Sequence, residues 1–307
     1  MKKVIVTGAG GFIGGSLVKR LLELGIEVYG VDISESVLER FSGSELFHPV
    51  IADFSVYDRL DSIIGCDGCD VFFHFAWNGV FGESFKDHTL QLSNAKYACD
   101  ALAAAKKMCC KKFVMAGTYN EFEIQNFLRS ESFEPRYTCI YSTCKTAAEL
   151  ICKTLAYNLG IEYSAGLICM AYGVGNRSKM LANVVINQLN NGVSPRLITG
   201  DNYYDMIYSE DIANAFIAIA EKGKNLKSYY VGHRRLKTFR ELMTEIRDIL
   251  SPETELRFGE FKDTANMDYS LIDLDALYND TGFECSADFR ESILKTSEWV
   301  KSLNWEA

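Results

Sequence analysis

The sequence is poor in proline, with 4 in 307 residues, so no stiff proline-rich linker separates its parts. It also lacks a long apolar run. The longest, residues 212–220, is interrupted by Asn214 and flanked by Asp211 and Glu221, too short for the roughly 20 apolar residues of a membrane helix. Positive charge is not in excess: 32 Lys and Arg against 41 Asp and Glu leave a net charge of −9, which excludes the basic stripe of a non-specific nucleic-acid binder. After Met1-Lys2-Lys3 the apolar run Val4 to Val6 is too short for a signal-peptide core, so a cytoplasmic chain is expected.

What is present is globular: 48% hydrophobic and 24% charged residues, over a length suited to two domains or one large α/β unit. Apart from the adjacent Cys109 and Cys110, the ten cysteines are spread along the chain, many in apolar contexts, and a chain this long buries a core without staples, so they read as reduced thiols. Cys66 and Cys69 form the one C-x-x-C; no second ligand pair follows at zinc spacing, so no metal is expected.

Apolar periodicity predicts strands at 3–7, 28–32, 50–52, 71–76, 112–116 and 162–170, with helices at 16–24, 90–107 and 141–159. That alternation suits an α/β, doubly wound parallel sheet over 1–166. Beyond Gly173 it weakens, with helical patterns at 179–190, 209–220 and 239–250 and a strand-like run at 196–199. A smaller mixed α/β, substrate-binding lobe is expected from 167–204 and 231–307, with about 205–230 returning to the first domain.

Thr7-Gly8-Ala9-Gly10-Gly11-Phe12-Ile13-Gly14 lies between a predicted strand and a predicted helix. Glycines there let the backbone and the helix N-terminus approach a pyrophosphate, which the free N–H groups and the helix dipole stabilise. Asp32, at the end of the next strand, is placed to accept hydrogen bonds from both adenosine ribose hydroxyls and to repel a 2′-phosphate. NAD(H) is therefore expected over NADP(H). Tyr141 and Lys145 stand four residues apart on one helix face, where an ammonium favours the ionised phenol and draws its pKa down from about 10. Thr118, ending the preceding strand, offers a hydroxyl to share the substrate's proton.

Together, T-G-x-x-G-x-x-G, the acid after the second strand, Thr118 and Y-x-x-x-K resemble the extended short-chain dehydrogenase/reductase superfamily. More narrowly they resemble its NAD-dependent epimerase/dehydratase family, which acts on nucleotide-diphosphate sugars through a Rossmann-type sheet. Asp53 in Ile51-Ala52-Asp53-Phe54, the segment His74-Phe75-Ala76-Trp77 (H-x-A-A in the family), Asn94, and Tyr204-Asp205-Met206-Ile207-Tyr208 (the family's R-D-F-I-Y) extend the likeness over about residues 3–220. The resemblance implies cofactor contacts from Gly8, Gly11, Phe12, Ile13, Gly14, Asp32, Ile33, Asp53, Phe54, Phe75, Ala76, Trp77, Asn94, Ala116, Tyr141 and Lys145. It implies Tyr141 as general acid/base, Lys145 holding the nicotinamide ribose and Thr118 bonding the reacting oxygen, while His74 reads as structural.

Departures from the family pattern bear on the reaction. Tyr119 and Asn120 replace the dehydratase Asp-Glu pair, which disfavours 4,6-dehydration, although Glu121 stands one residue on. Tyr204 replaces the diphosphate-binding arginine, and Leu167 and Met170 replace an arginine and an asparagine. Arg177, Lys179, Arg196, Arg234 and Arg235 are the cations left to meet a diphosphate; Thr118, Tyr119, Asn120, Arg177, Asn183 and Tyr204 are the expected substrate contacts. A nucleotide-sugar 4-epimerase is expected. A 4-ketoreductase of a nucleotide-linked 4-keto-6-deoxyhexose, using NADH, is the alternative, and a non-catalytic NAD(H)-binding regulator has no need of all three site residues. In relatives helices 90–107 and 141–158 form a dimer seam, to which Leu90, Leu102, Leu150, Ile151 and Leu155 are candidates here, though such residues also commonly face the sheet.

Overall fold

The computed structural model describes residues 1–66, 68–129, 135, 138–263 and 267–305. Along the first half, β1 (Lys3–Thr7), α1 (Phe12–Glu23), β2 (Glu27–Asp32), α2 (Glu35–Leu38), β3 (Phe47–Ile51), α3 (Leu60–Ile64), β4 (Val71–His74), α4 (His88–Lys107), β5 (Lys112–Thr118), α5 (Asn120–Arg129), α6 (Cys139–Leu159) and β6 (Glu162–Ile168) follow in turn. Then come β7 (Met170–Tyr172), α7 (Leu181–Asn190), β8 (Arg196–Ile198), β9 (Tyr203–Tyr204), β10 (Met206–Tyr208), α8 (Ser209–Lys222), β11 (Lys227–Val231), β12 (Lys237–Thr238), α9 (Phe239–Leu250), β13 (Arg257–Phe261), α10 (Ala276–Thr281) and α11 (Phe289–Ser302).

Seven strands form one parallel sheet in the order β11-β6-β5-β4-β1-β2-β3. Val4, Ile5 and Val6 have no exposed surface, as expected of a parallel strand covered on both faces. Leu17 and Leu21 of α1 pack with Ile212 and Phe216 of α8 on one face; the alanine-rich side of α4 packs beside Ala148 and Cys152 of α6 on the other. Strand order reverses between β1 and β4, and the crevice beyond the carboxyl ends of these parallel neighbours is where an open α/β sheet binds ligands.

A second core, with Tyr172, Ile186, Phe239, Met243, Ile293 and Val300, joins α7, α9 and α11 to the small sheets β10-β7, β12-β9 and β13-β8. Two of its helices start on side-chain caps: Thr238 and Glu241 form a reciprocal capping box on α9, and Asp288 accepts the Glu291 N–H at 2.8 Å on α11.

Several boundaries differ from the sequence reading. Helix α1 begins at Phe12, four residues early, because its glycine-rich first turn is helical despite low propensity. The strand expected at 162–170 divides at Cys169: β6 stays in the large sheet and β7 turns off to pair with β10. Periodicity passed over α5, α10, α11, β11 and β13. All ten cysteines are free thiols, with the Cys66 and Cys69 sulfurs 3.2 Å apart. Among the described residues no helix is long and apolar enough to cross a membrane.

Candidate active site

The glycine turn caps β1. Gly8 takes a φ of +68°, which favours glycine, and its carbonyl accepts the Gly11 N–H at 3.0 Å. A Cβ on Gly14 would strike that carbonyl, so α1 lies as close to the strand as its backbone permits. No side chain caps α1 at Gly11; the N–H groups of its first turn lack helical partners and form a cradle suited to an anion. Asp32 accepts the Gly10 N–H at 2.9 Å and the Ile33 N–H at 2.8 Å, which fixes its carboxylate beside the turn and leaves further acceptor positions. The cradle and the carboxylate together fit a dinucleotide.

The other expected cofactor contacts divide. Ile33 is exposed at the rim, and the Ala76 N–H points at the Thr7 hydroxyl, 3.4 Å away. Asp53 accepts the Ser55 hydroxyl and N–H, bonds that hold its carboxyl below the usual carboxylate range. Phe54 stacks on Tyr97 at 4.9 Å and Phe75 packs on Phe216 at 4.6 Å, so both rings belong to the core. Asn94 is buried with both ends of its amide on the Asn78 backbone, at 3.0 and 2.8 Å, where it pins the loop after β4.

Thr118 ends β5, and α6 brings Tyr141 and Lys145 against it. The Tyr141 phenol shares a hydrogen bond with the Thr118 side chain. Lys145 donates to the Ala116 carbonyl at 2.9 Å, and its ammonium lies 3.9 Å from the centre of the Trp77 ring. Trp77 meets Tyr141 edge-on and donates from Nε1 to Gln91 at 2.8 Å; Gln91, fully buried, also ties down the carbonyls of Gly79 and Ser84. The sequence marked Trp77 only as part of a segment along the cofactor and passed over Gln91, which lies on the same face of α4 as Asn94.

Burial, and then the Glu121 carboxyl, pushes the Tyr141 phenol up, while the hydrogen bond with Thr118 opposes them. Burial also brings Lys145 down to about 8, against the pull of Glu121. His74 is fully buried, bonded through Nδ1 to the Thr7 hydroxyl at 2.9 Å, and burial pushes its pKa down to about 3, so it is a neutral core residue.

On the substrate side Tyr119, Asn120, Tyr203, Tyr204, Phe239 and Tyr269 wall a cleft whose one acid among the described residues is Asp263. Asn183 donates to the Asn176 and Ser178 carbonyls at 3.0 and 2.9 Å, while its Oδ1 is buried without a partner among the described residues. Tyr204 sits edge-on to Phe239 and donates to the Met170 sulfur at 3.7 Å; Leu167 is buried in β6, away from the cleft.

The cations separate as clearly. Arg177 lies over Trp299 on the α1 side, beside Arg40, and Lys179 over Trp305. Arg196 pairs with Glu260 at 3.1 Å, and Arg234 with Asp275 at 2.6 Å. Arg235 lines a cavity with Tyr203, Met267 and Tyr269 and makes no ion pair among the described residues. Glu121 faces inward, buried beneath Thr118, and does not stand in the cleft as a second acid.

The model of the NAD-dependent epimerase/dehydratase family matches residues 4–232. A probable dTDP-glucose 4,6-dehydratase from Sinorhizobium fredii is 23% identical over 99% of this chain and 94% of its own length. A trifunctional UDP-glucose 4,6-dehydratase, 3,5-epimerase and reductase from Arabidopsis thaliana is 22% identical over 97% of this chain, which spans 47% of that enzyme. The solved UDP-glucuronic acid 4-epimerase from Bacillus cereus with NAD superposes with a TM-score of 0.77 at 18% identity, covering 98% of this chain and 99% of that one, a likeness of fold.

Proposed function

The chain belongs to the NAD-dependent epimerase/dehydratase family, and from that premise we propose that it is a nucleotide-sugar 4-epimerase. The observation that carries this reading is that, among the described residues, no carboxylic acid directly follows Thr118 beside the Tyr141 and Lys145 pair. Thr118, Tyr141 and Lys145 meet at the crevice, Tyr119 and Asn120 follow, and the Glu121 carboxyl is turned into the core. Loss of water across two carbons asks for a further acid and base in contact with the sugar; inversion at one carbon does not.

The first turn of α1 would hold the NAD pyrophosphate, Asp32 the adenosine ribose, and Lys145 the nicotinamide ribose. NAD supplies a hydride acceptor and donor at the sugar carbon. Tyr141 takes the proton of the sugar hydroxyl at its phenol oxygen and returns it, Thr118 orients the same oxygen, and Lys145 favours the ionised phenol. The aromatic walls of the cleft would offer apolar faces against which the oxidised sugar turns over. The reading includes a cytoplasmic homodimer with α4 and α6 at the seam: Leu92, Leu150 and Ile151 are exposed there, Leu90 and Leu155 partly so, and Leu102 faces the core.

The test is to purify the protein without added nucleotide, denature it and quantify released dinucleotide, then supply UDP- and dTDP-hexoses and follow C4 inversion. Near-stoichiometric NAD and inversion without net NADH are expected. Empty protein that consumes NADH with a 4-keto-sugar would make it the ketoreductase instead.

A further inference from the structure

The pattern T-G-x-x-G-x-x-G accounts for Gly8, Gly11 and Gly14, yet Gly10 and Gly15 stand beside them. Both face the segment that follows β2. A Cβ on Gly10 would strike the Val37 side chain, and one on Gly15 would strike the Arg40 guanidinium. These two glycines therefore let α2 and the 3-10 turn after it, Glu39–Phe41, lie directly on the outer side of the dinucleotide turn. The reaction outlined above makes no use of that cover.

Arg40 is its polar contact. Its Nη2 donates to the carbonyls of Gly10 and Gly11, each at 3.1 Å, and reaches that of Ala9 at 3.4 Å. The Phe41 ring supports the guanidinium, with its centre 4.7 Å from Cζ. Among the described residues Arg40 makes no ion pair; Asp32, bonded to the Gly10 and Ile33 N–H groups, attracts it at longer range. Carbonyl oxygens gathered on one side of a turn repel one another, and a cation set against them offsets that repulsion. A trans peptide is planar, so its C=O and N–H point opposite ways. Holding the Gly11 carbonyl outward thus aims the Phe12 N–H toward the anion cradle. That carbonyl also accepts the Gly15 N–H at 2.9 Å, so Arg40 grips the peptide that opens α1.

We propose that Arg40 is a positioning residue for the dinucleotide: from the outer face of the glycine turn it fixes the Gly10 and Gly11 carbonyls and so presents the N–H groups of the first turn of α1 to a pyrophosphate before one binds. It acts through the peptides rather than by contact with the phosphates. The turn has no side chain of its own to do this, since residues 8–11 are Gly-Ala-Gly-Gly, and glycine is the backbone that loses most freedom on being ordered. A clamp already in place in the free protein removes that ordering from the cost of binding. Its charge, on the carbonyl side of the same peptides, also adds to the positive end of the α1 dipole. The inference rests on the family's cofactor and not on the sugar chemistry proposed above.

The test is binding, not turnover. Nucleotide-free protein is titrated in a calorimeter with NAD, with ADP, which carries the pyrophosphate, and with adenosine, which keeps the ribose but has no phosphate. R40M removes the charge and the donors and keeps an apolar chain on Phe41. The expected result is NAD and ADP affinity weaker by about tenfold or more and adenosine affinity within about twofold of the parent's, with R40K recovering part of the loss. G15A keeps Arg40 but pushes its guanidinium off the carbonyls, so it should weaken ADP by a similar factor and add little in the R40M background. NAD and ADP affinities equal to the parent's in both R40M and G15A overturn the proposal. So does a loss for adenosine as large as that for ADP, which would make Arg40 a support for the fold alone. If no sugar is ever turned over, these titrations still decide it, so its failure and that of the epimerase reading are told apart.

Discussion

The indole of Trp77 covers the Lys145 ammonium at 3.9 Å and turns its edge to Tyr141, although Lys145 lies 68 residues further along the chain. An aromatic face over a desolvated cation contributes about 1–2 kcal/mol, and here it also holds Lys145 against the Ala116 carbonyl. Trp77→Ala should lower thermal stability by a few degrees and reduce kcat about tenfold. Calorimetry and turnover check both, and Trp77→Phe should recover part of each.

Tyr141→Phe should cost roughly 10²- to 10⁴-fold in kcat, the usual worth of a positioned acid/base. Bound NAD should be retained, since the phenylalanine ring still packs on Trp77 and Phe85. Full turnover by this variant on a confirmed sugar would remove Tyr141 from the reaction.

Asp32→Ala removes the acceptor for the Gly10 and Ile33 N–H groups together with the acid beside the glycine turn. NAD affinity should fall about tenfold or more and the preference for NAD over NADP should shrink, as charge-assisted hydrogen bonds contribute roughly 1.5–3 kcal/mol each. Titration with both dinucleotides measures it.

His74 makes stability depend on pH. Its folded pKa of about 3 lies below the ordinary value of 6.5, so the fold favours the neutral ring. The stabilisation is complete above about pH 6.5 and is lost progressively as pH falls from there toward 3; at pH 5 the loss amounts to about 2 kcal/mol. His74→Asn should flatten the stability profile between pH 7 and 5. An unchanged slope in denaturant melts would contradict this assignment.

Arg235 is the cation beside the cleft that no carboxylate occupies among the described residues, whereas Arg196 and Arg234 are paired. Arg235→Ala should raise KM for an anionic sugar nucleotide about tenfold with little change in kcat, and the same change at Arg196 or Arg234 should not.

The parts of this protein that follow from local pattern were legible before any fold was known. Strand, glycines, helix and acid lie within residues 3–32, and Tyr141 and Lys145 are one helical turn apart, so chain geometry alone places each set on one surface. Strand β11 is different. Lys227–Val231 joins the sheet beside β6, some 60 residues earlier, and nothing in its own periodicity names that partner. Tyr204 and Met170 read as two separate departures from the family, but the fold makes them one contact.

By itself the sequence determined the parallel α/β sheet, the dinucleotide turn with its acid, and the pairing of Tyr141 with Lys145 on one helix face, because apolar periodicity and short spacings dictate local conformation. The tertiary structure alone decided that Trp77 rather than solvent meets Lys145, that Glu121 points into the core, that Tyr141 is raised by burial, and that Arg235 stands apart from the paired cations. Each of these depends on desolvation and on neighbours from distant strands and helices, quantities that exist only once the chain has packed.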